Sequence, residues 1–497
     1  MTTLKKLVSL ALTVMLLCAC FAANAATITM NGGTDGSQYS IYRILDATVS
    51  EDGTNIAYFL NDKYDEVLIS VLGDEPIEAL KALDGNATEL DAKAKQIYDA
   101  IVAANIDPDA TASGSNASAD AGTGYVLVAE TQLGDEGDTY SLLMLSTAKG
   151  NNININTKEN VPQLEKKLKE TNDTTGDVSG WQDGADYDLG DDVPFKLIGT
   201  LSDRYDSYQT YYYQFTDEIC DGLTFNKDVR VVVDNGGEET DVTSAFTTAE
   251  TATGFTVTCT DLKQIPNVTI DKDSEIVVYY TAKLNEQSVI GSAGNPNKAM
   301  LTYNNNPYYD GTGTGDDAPD SEKNTSVTPW DQVIVFTYEL DVDKVDGSSQ
   351  PLEGATFQLM KKEKQEDGSD LYVEVATIEG TSQSEFAFQR LDAGEYLLKE
   401  TKAPAGYNPV DDITFTITAD YDTEADSPAF GTLTVDHEDF EANATTGIIS
   451  TGVINLTGTE LPTTGGIGTT IFYVVGGVLV LLAVVLLVTK RRVGEEN

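Results

Sequence analysis

Histidine, cysteine and basic residues are scarce in this sequence. His437 is the only histidine among 497 residues, so catalysis that needs two histidines is excluded. The 31 lysine and arginine residues face 81 aspartate and glutamate residues, which gives a formal net charge of -50. Nucleic acids and anionic lipids both attract basic surfaces, so this charge argues against either partner for the folded part of the chain.

The remaining composition is that of a folded protein. Apolar residues make up 40% of the chain and 24 residues are tyrosine, which is too rich for a disordered acidic tail. At about 100–200 residues per domain, the length predicts about three domains. The sequence has no phosphate-binding glycine loop, zinc-ligand spacing or nucleophile elbow. We therefore expect no cofactor, no metal site and no enzymatic turnover.

The first 25 residues have the form of a secretory signal peptide. Lys5 and Lys6 precede an apolar run over residues 7–22, and an Ala-Asn-Ala triplet ends at Ala25. A basic start, an apolar core and a small-x-small cleavage site are typical of an exported protein. A first membrane anchor is the alternative, but the run is short and ends in small residues.

The other end carries an apolar segment between a short motif and a basic tail. Residues 471–488 are almost purely apolar and reach about 27 Å as a helix, enough to span a membrane. The tail, 489–497, contains three cations that predict a cytoplasmic C-terminus. The motif, residues 461–465, consists of Leu461, Pro462, Thr463, Thr464 and Gly465. This triplet of features resembles the sorting signal of Gram-positive surface proteins, which a sortase cuts between Thr464 and Gly465; a permanent C-terminal anchor is the alternative.

Once the signal peptide is removed, two cysteines remain, Cys220 and Cys259. Both fall in one domain of an exported protein, where a disulfide is permitted. A bridge and two buried free thiols are both open from the sequence.

The exported body is predicted to be mainly all-β, with three tandem Ig-like β-sandwich domains. The first, 26–158, combines alternating strands with one helical insertion, in which Leu90, Ala94, Ile97, Tyr98 and Ile101 repeat at helix spacing. The second, 159–330, is rich in β-branched and tyrosine runs separated by Gly, Asn and Asp turns. The third, 331–460, repeats this pattern on a smaller scale.

Ionisable residues lie on the apolar faces of predicted strands in the second and third domains. Side chains two positions apart share a face of a strand, so Lys166 is grouped with Leu164 and Leu168. The same parity places a lysine, an acid and an asparagine on core faces in each domain. The two trios are Lys166, Asp217 and Asn297, and Lys344, Glu400 and Asn455. Burying such residues is costly unless they are paired. A buried salt bridge with a hydrogen-bonded amide, which has only a structural role, is one interpretation of each trio.

Local motifs around these residues resemble a known family. The stretch from Tyr396 to Tyr407 (YLLKETKAPAGY) looks like the "E-box" of collagen-adhesin B-type domains in Gram-positive pilins. Asn297-Lys298-Ala299 and Phe215-Thr216-Asp217 resemble the matching motifs of the pilin middle domain. Together with the sorting signal, these motifs identify the chain as similar to the isopeptide-forming backbone pilins of sortase-assembled fimbriae.

The resemblance implies a self-modification chemistry. Domains of this family form a Lys–Asn amide autocatalytically beside a carboxylic acid, which assigns bonds Lys166–Asn297 and Lys344–Asn455, with Asp217 and Glu400 as the promoting acids. Burial favours this chemistry, because it lowers the pKa of a lysine amine and raises the pKa of a carboxyl group.

The resemblance also implies how subunits are joined. In the family a lysine at the end of the first domain is the nucleophile for the acyl group at Thr464, and Lys158 stands at that place. The family's Tyr-Pro pair is missing before Lys158, and Lys149 is the nearest competitor. The implied partners are a pilus-specific sortase, a housekeeping sortase, identical subunits in a head-to-tail polymer and peptidoglycan, with accessory pilins and host surface ligands as further candidates.

The sequence therefore predicts a structural protein, the backbone subunit of a cell-wall-anchored surface fimbria. The alternative is a surface adhesin attached singly to peptidoglycan by the same sorting signal. A secreted hydrolase is a third class, but the candidate carboxylates share core faces with lysine and asparagine and do not line an evident cleft.

Overall fold

The computed structural model describes residues 26–458, apart from residues 51, 53, 135–137, 150–151, 157–160, 309–318, 320–323 and 426. Within this part of the chain the protein is mostly β, with strands in three successive regions and α-helices confined to the first. The predicted fold class is therefore confirmed. The predicted signal peptide, sorting motif, apolar segment and basic tail lie outside the described residues, and no described helix has the length and hydropathy of a membrane span.

The first domain is built from two sheets and a helical layer. Its strands are β1 (Thr27–Asn31), β2 (Gln38–Val49), β3 (Ile56–Leu60), β4 (Ala110–Ser113), β5 (Asn116–Asp120), β6 (Gly124–Gln132), β7 (Leu142–Ser146) and β8 (Asn152–Asn156). One sheet has the order β5-β1-β8, and the other has the order β3-β2-β6-β7 with β4 on β2. Ile28, Ile41 and Val128 belong to one core of the domain, and the helices cover another.

Helices lie between β3 and β4. They are α1 (Asp65–Leu72), α2 (Pro76–Ala82) and α3 (Ala87–Ala103). Asn86 caps α3 by accepting a hydrogen bond from the Glu89 backbone N–H at 3.2 Å, which satisfies one of the free donors of the first turn. Ala94, Ile97 and Ile101 are buried as the spacing predicts. The prediction of a single helical stretch missed α1 and α2, which are too short for the periodic pattern to be distinct.

The middle domain is a two-sheet sandwich. Its strands are β9 (Leu164–Leu168), β10 (Thr171–Asn172), β11 (Asp177–Val178), β12 (Gly184–Asp186), β13 (Asp192–Gly199), β14 (Tyr213–Ile219), β15 (Leu223–Phe225), β16 (Arg230–Asp234), β17 (Glu239–Asp241), β18 (Thr247–Glu250), β19 (Gly254–Cys259), β20 (Glu275–Leu284), β21 (Asn295–Asn304), β22 (Thr325–Val327) and β23 (Asp331–Phe336). Short 3₁₀ turns occur at Tyr205–Ser207, Thr243–Ala245 and Leu262–Gln264. One sheet has the order β12-β23-β21-β14-β19-β18 with β22 on β21, and the other has the order β17-β16-β20-β13-β9 with β15 on β20.

The third domain is a smaller sandwich. Its strands are β24 (Tyr338–Asp346), β25 (Thr356–Lys364), β26 (Asp370–Glu379), β27 (Glu385–Leu391), β28 (Gly394–Lys402), β29 (Ile413–Tyr421), β30 (Phe430–Val435), β31 (Phe440–Asn443) and β32 (Ile448–Asn455). The sheets have the orders β27-β24-β32-β31 and β26-β25-β28-β29-β30. The first and last strands of the domain, β24 and β32, are direct neighbours and run parallel.

β23, the strand that follows the predicted domain border at residue 330, pairs with strands of the middle sheet. Its partners are β21 and β12, so it extends the middle sheet to Phe336. Val333 and Val335 belong to the middle core, whereas Ile334 and Phe336 belong to the core of the third domain. One strand thus contributes side chains to two cores, and strand alternation alone does not show which sheet receives its hydrogen bonds.

Of the two alternatives left open for Cys220 and Cys259, a bridge and free thiols, the structure has free thiols at both positions. Cys259 lies opposite Tyr213 in the β14–β19 pair, at one end of β14. Cys220 follows Ile219, at the other end of β14. Strands rise about 3.3 Å per residue, so the two thiols are separated by almost the whole strand and far exceed the distance that a disulfide spans.

Candidate functional sites in the middle and third domains

The middle domain brings its predicted trio together across the sandwich. Lys166 comes from β9 in one sheet, and Asp217 and Asn297 come from β14 and β21 in the other. All three lie on core faces, and each side chain is at most 1% exposed. Strand alternation is the reason, since their neighbours on the same faces, such as Leu168 and Phe215, are also fully buried.

Lys166 and Asp217 are in direct contact. The Lys166 Nζ lies 2.5 Å from the Asp217 Oδ2. Burial lowers the pKa of the Lys166 amine, although the Asp217 carboxylate raises it in part. Burial likewise raises the pKa of the Asp217 carboxyl, against the opposing effect of Lys166. Both shifts favour the neutral pair, an amine and a carboxylic acid, over the ion pair.

A fourth residue of this site, Tyr280 on β20, was not predicted. Its hydroxyl accepts hydrogen bonds from the Lys166 Nζ at 2.7 Å and from the Asn297 Nδ2 at 2.8 Å. It donates to the Asp217 Oδ2 at 2.8 Å, so Tyr280 contacts all three members of the trio. Its ring stacks on Phe195 with 5.2 Å between centroids, which fixes the hydroxyl in place.

Two oxygen atoms of the middle site lack a hydrogen-bond partner. The Asp217 Oδ1 and the Asn297 Oδ1 are both buried and unsatisfied. A buried acceptor without a donor costs about 1–3 kcal/mol. A proton on the Asp217 carboxyl would provide a donor for such an acceptor, which agrees with the raised pKa of this group.

The third domain assembles its trio from two sheets as well. Lys344 on β24 and Asn455 on β32 belong to neighbouring parallel strands, with Lys344 opposite Val453 in the register. Glu400 projects from β28 in the facing sheet. Lys344 and Asn455 are fully buried and Glu400 is 9% exposed. The sequence therefore predicted the members of both clusters from strand alternation.

The acid contacts a different partner here. The Asn455 Nδ2 lies 3.0 and 2.9 Å from the two carboxyl oxygens of Glu400, and it also donates to the Asn408 carbonyl at 2.8 Å. The Lys344 Nζ donates to the Val453 carbonyl at 2.7 Å and lies 3.8 Å from the Glu400 Oε1. Burial lowers the pKa of Lys344, partly opposed by Glu400. The Asn455 Oδ1 is buried without a partner.

The predicted linkage residues Lys158 and Thr464 lie outside the described residues, as do the other residues of the sorting motif. The strand that leads to Lys158 has the predicted alternation, with Asn154 and Asn156 exposed and the isoleucines between them half-buried. Lys149, the competing lysine, is exposed.

One group of carboxylates in the described part of the chain is close enough to hold a metal ion. Oxygen atoms of Asp173, Asp188, Asp191 and Asp392 lie within 4.8 Å of one another. The ammonium of Lys361 lies among them, 2.6 Å from Asp173 and from Asp188. A cation supplied by the chain itself therefore already contacts these oxygens.

Three family models match the chain. A Gram-positive pilin backbone subunit 2, Cna-B-like domain matches residues 189–307, and a prealbumin-like fold domain matches residues 338–427. An LPXTG cell wall anchor motif matches residues 457–493. The two domain matches contain Asp217, Asn297, Lys344 and Glu400, and the anchor match contains the predicted sorting motif and apolar segment.

One relative and two solved structures are similar to most of the chain. The trypsin-resistant surface T6 protein of Streptococcus pyogenes serotype M6 is 24% identical over 439 residues, covering 72% of this chain and 77% of the relative. The solved structure of the T6 backbone pilin matches with a TM-score of 0.53 at 20% identity, over 87% of this chain and 98% of that one, and supports the fold. The full-length major pilin SpaD from Corynebacterium diphtheriae matches 87% of this chain and 98% of its own, with 16% identity and a TM-score of 0.46.

Proposed function

We infer that this chain, which combines a Gram-positive pilin backbone domain, a prealbumin-like domain and an LPXTG anchor, is the backbone subunit of a pilus anchored to the cell wall. The relative that matches over most of both chains is a surface protein and a backbone pilin. The finer chemistry rests on one observation, the burial of a lysine, an acid and an asparagine together in each of two domains.

In the middle domain the reaction joins Lys166 to Asn297. The neutral Lys166 amine attacks the Asn297 Cγ, and the protonated Asp217 carboxyl donates to the amide oxygen, which makes that carbon more electrophilic. A bond forms between Nζ and Cγ, and the bond between Cγ and Nδ2 breaks. The proton that the amine loses passes to the leaving nitrogen, which departs as ammonia. Tyr280 contacts both nitrogens and the acid, so its hydroxyl is placed to carry that proton.

In the third domain the same reaction joins Lys344 to Asn455. Glu400 holds the asparagine side chain through two contacts, and the Val410 backbone N–H donates to the Glu400 Oε2 at 3.0 Å. These contacts fix the amide beside the lysine strand. Well-oriented groups reach effective molarities of roughly 10⁵ M or more, so proximity supplies most of the acceleration. Each domain acts once on itself, which is self-modification without turnover.

Polymerisation uses the two ends of the folded body. A sortase cysteine attacks the Thr464 carbonyl, breaks the bond to Gly465 and holds the acyl group as a thioester. The Lys158 amine of another subunit displaces the cysteine and forms a Lys–Thr isopeptide. Donor and acceptor lie at different places on the subunit, so the contact is head-to-tail and a filament grows. A housekeeping sortase then transfers the last subunit to a peptidoglycan amine.

The intact mass of the 26–464 fragment tests the internal bonds. Each amide releases one ammonia, so we expect the mass to fall short of the sequence value by about 17 Da per bond, for two bonds. Glu400→Gln should leave a single loss, because the promoting acid of the third domain is removed. Glu395→Gln is the matched control on the same strand: Glu395 pairs with Lys362 at 3.1 Å outside the cluster, and both losses should persist. A wild-type mass equal to the sequence value would exclude the chemistry.

A further inference from the structure

Part of the middle domain lies against the third domain. The segment 169–191, between β9 and β13, is here called the arm and includes β10, β11 and β12. Backbone donors cross the border: the Leu189 N–H donates to the Arg390 carbonyl at 2.9 Å, and the Lys364 N–H donates to the Asp173 carbonyl at 2.7 Å. These bonds show that the arm is docked along its length.

A buried lysine of the third domain is enclosed by the arm. The Lys361 Nζ lies 2.6 Å from Asp173 and 2.6 Å from Asp188, both in the arm, and 2.5 Å from Asp392 of its own domain. The side chains of Lys361 and Asp392 are only 2% and 1% exposed. Asp188 also accepts the Asp392 backbone N–H at 2.9 Å. The ion group therefore holds the arm and the third domain together.

A second acidic pair in the arm faces the same border. Asp186 is 2% exposed and accepts hydrogen bonds from the Tyr421 hydroxyl and the Ala393 N–H, both at 2.9 Å. Glu170 accepts the Asp186 backbone N–H at 2.9 Å, so the two carboxyl groups are close neighbours. Neither carboxyl group forms a salt bridge within the described residues.

The carboxyl groups at this border outnumber the cation. Among the described residues, the groups that face one another are the acids Glu170, Asp173, Asp186, Asp188, Asp191 and Asp392, the tyrosines Tyr187, Tyr338, Tyr396 and Tyr421, and the ammonium of Lys361. Burying unpaired carboxylates costs several kcal/mol each, and protonation removes that cost. The Asp392 Oδ2 is also buried without a hydrogen-bond partner, so no donor offsets a negative charge on this oxygen.

We propose that docking of the arm on the third domain takes up protons, so that the two domains are locked together in acid and released from each other as the pH rises. None of the residues of this lock belongs to either trio, so the proposal does not rest on the isopeptide chemistry. In the docked state the buried carboxyl groups are neutralised in two ways: some carry a proton, and the others pair with the ammonium of Lys361.

The direction of the pH effect follows from the raised pKa values of two carboxyl groups in the arm. Burial, with the neighbouring Asp186 charge, raises the pKa of Glu170 to about 9, and burial, with Asp188, raises the pKa of Asp191 to about 6. In the undocked arm these groups would titrate near their ordinary values, about 4. The docked state therefore binds more protons, and its stability falls as the pH rises from about 4 through 6 and on to 9.

Hydrogen exchange of the border amides tests the lock. The peptides that contain Leu189, Asp392 and Ala393 report docking, because their N–H groups donate across the border. After correction for intrinsic exchange rates, we expect their protection in the 26–464 fragment to fall at least about tenfold between pH 6 and pH 8. Equal protection at the two pH values would overturn the proposal.

Two variants distinguish the contribution of carboxyl protonation from the contribution of the Lys361 ammonium. Glu170→Gln keeps an acceptor for the Asp186 N–H but removes a titrating group, so protection should fall less steeply with pH than in the wild type. Lys361→Met removes the central cation, and protection should drop at both pH values. Lys362→Met is the matched control, since the Lys362 ammonium pairs with Asp370 and Glu395 of its own domain. Its backbone carbonyl, which accepts a hydrogen bond from the Thr174 hydroxyl of the arm, is kept in this variant. A Glu170→Gln profile identical to wild type would overturn the assignment of the proton.

A metal ion is the rival occupant. Calcium chloride and a chelator, each added to the wild-type fragment at pH 8, distinguish the two. A proton lock predicts unchanged protection in both solutions. Protection that rises more than about tenfold with calcium would instead assign these carboxyl groups to a divalent cation and overturn the proposal.

Discussion

Among the described residues, three buried lysines differ in the carboxyl groups around them. The Lys166 and Lys344 amines each lie within salt-bridge distance of one carboxyl group, and burial lowers the pKa of both amines. Burial acts in the same direction on Lys361, but Asp392, Asp188 and Asp173 outweigh it and raise the pKa of this amine. Burial alone therefore does not make a lysine a nucleophile. The number of paired carboxylates decides between a reactive amine and a fixed cation.

The hydroxyl of Tyr280 is expected to speed the middle-domain reaction. Tyr280→Phe removes the group that contacts Lys166, Asp217 and Asn297 but keeps the ring that packs on Phe195. We expect the middle-domain ammonia loss to be slowed about 10²-fold or more, within the range for removing a proton-transfer group. The third-domain loss should keep its rate. Intact mass followed over time after refolding provides the measurement.

Tyr279→Phe is the matched control for this variant. Tyr279 directly precedes Tyr280 on β20 and points to the other face of the strand. Its hydroxyl donates a hydrogen bond to Glu239 at 2.6 Å. It should leave both losses unchanged. A Tyr280→Phe protein that completes both losses at the wild-type rate would show that the hydroxyl only fills space.

The alternation of side chains between the two faces of a strand explains why both trios were predictable and Tyr280 was not. Lysine, aspartate and glutamate on an apolar face conflict with burial and attract attention, whereas a tyrosine on such a face is ordinary. Tyr280 shares its face of β20 with Val278 and Ala282, so a core aromatic was the natural interpretation. Its role depends on the strand opposite, which a single segment of sequence does not show.

At the scale of elements, pairing between distant strands is what the sequence could not provide. Alternation within a strand is local and was predicted for β9, β24 and β32. The domain border and the cysteine pair both required knowledge of which strands are neighbours. The arm was missed for the same reason, since its acids look like solvated turns until the third domain covers them.

A bond between β24 and β32 should stabilise the third domain by limiting its unfolded state. Asn455→Ala prevents the bond and opens a loop of roughly 100 residues, so we expect a loss of about 4–5 kcal/mol in the free energy of unfolding of this domain. The middle-domain transition should change far less, because it has its own core and its own bond. Differential scanning calorimetry of the 26–464 fragment resolves the two.

Ser450→Ala is the control for this prediction, because Ser450 lies on the exposed face of β32. It should shift neither transition by more than a few tenths of a kcal/mol. An Asn455→Ala protein as stable as the control would mean that the bond does not constrain the unfolded chain.

At the scale of the whole molecule, the choice of linking lysine decides between a polymer and a single anchored chain. Lys158→Ala should abolish the high-molecular-weight ladder on denaturing gels of cell-wall extracts and leave wall-anchored monomer. The reason is that the lysines of the two trios are buried and so cannot reach an acyl group on another subunit. Lys149 is exposed and lies just before β8, the strand that leads to Lys158. Lys149→Ala is therefore the matched control and should keep the ladder.

A ladder that survives Lys158→Ala and is lost with Lys149→Ala would move the nucleophile to Lys149. Absence of a ladder from the wild type in the presence of its sortase would instead favour the singly anchored adhesin.

The parallel pairing of β24 with β32 also determines how the third domain responds to a pull. Tension enters β24 at Tyr338 and leaves β32 after Asn455, at opposite ends of a parallel pair. The two strands are thus loaded in shear, so their hydrogen bonds resist together and do not unzip one at a time. With Lys344 joined to Asn455, the force passes along a few residues of β24 and across one amide, and the whole intervening chain is bypassed. The chain between the linked residues then cannot unfold and lengthen under tension, so a fibre built from such domains should not extend when pulled.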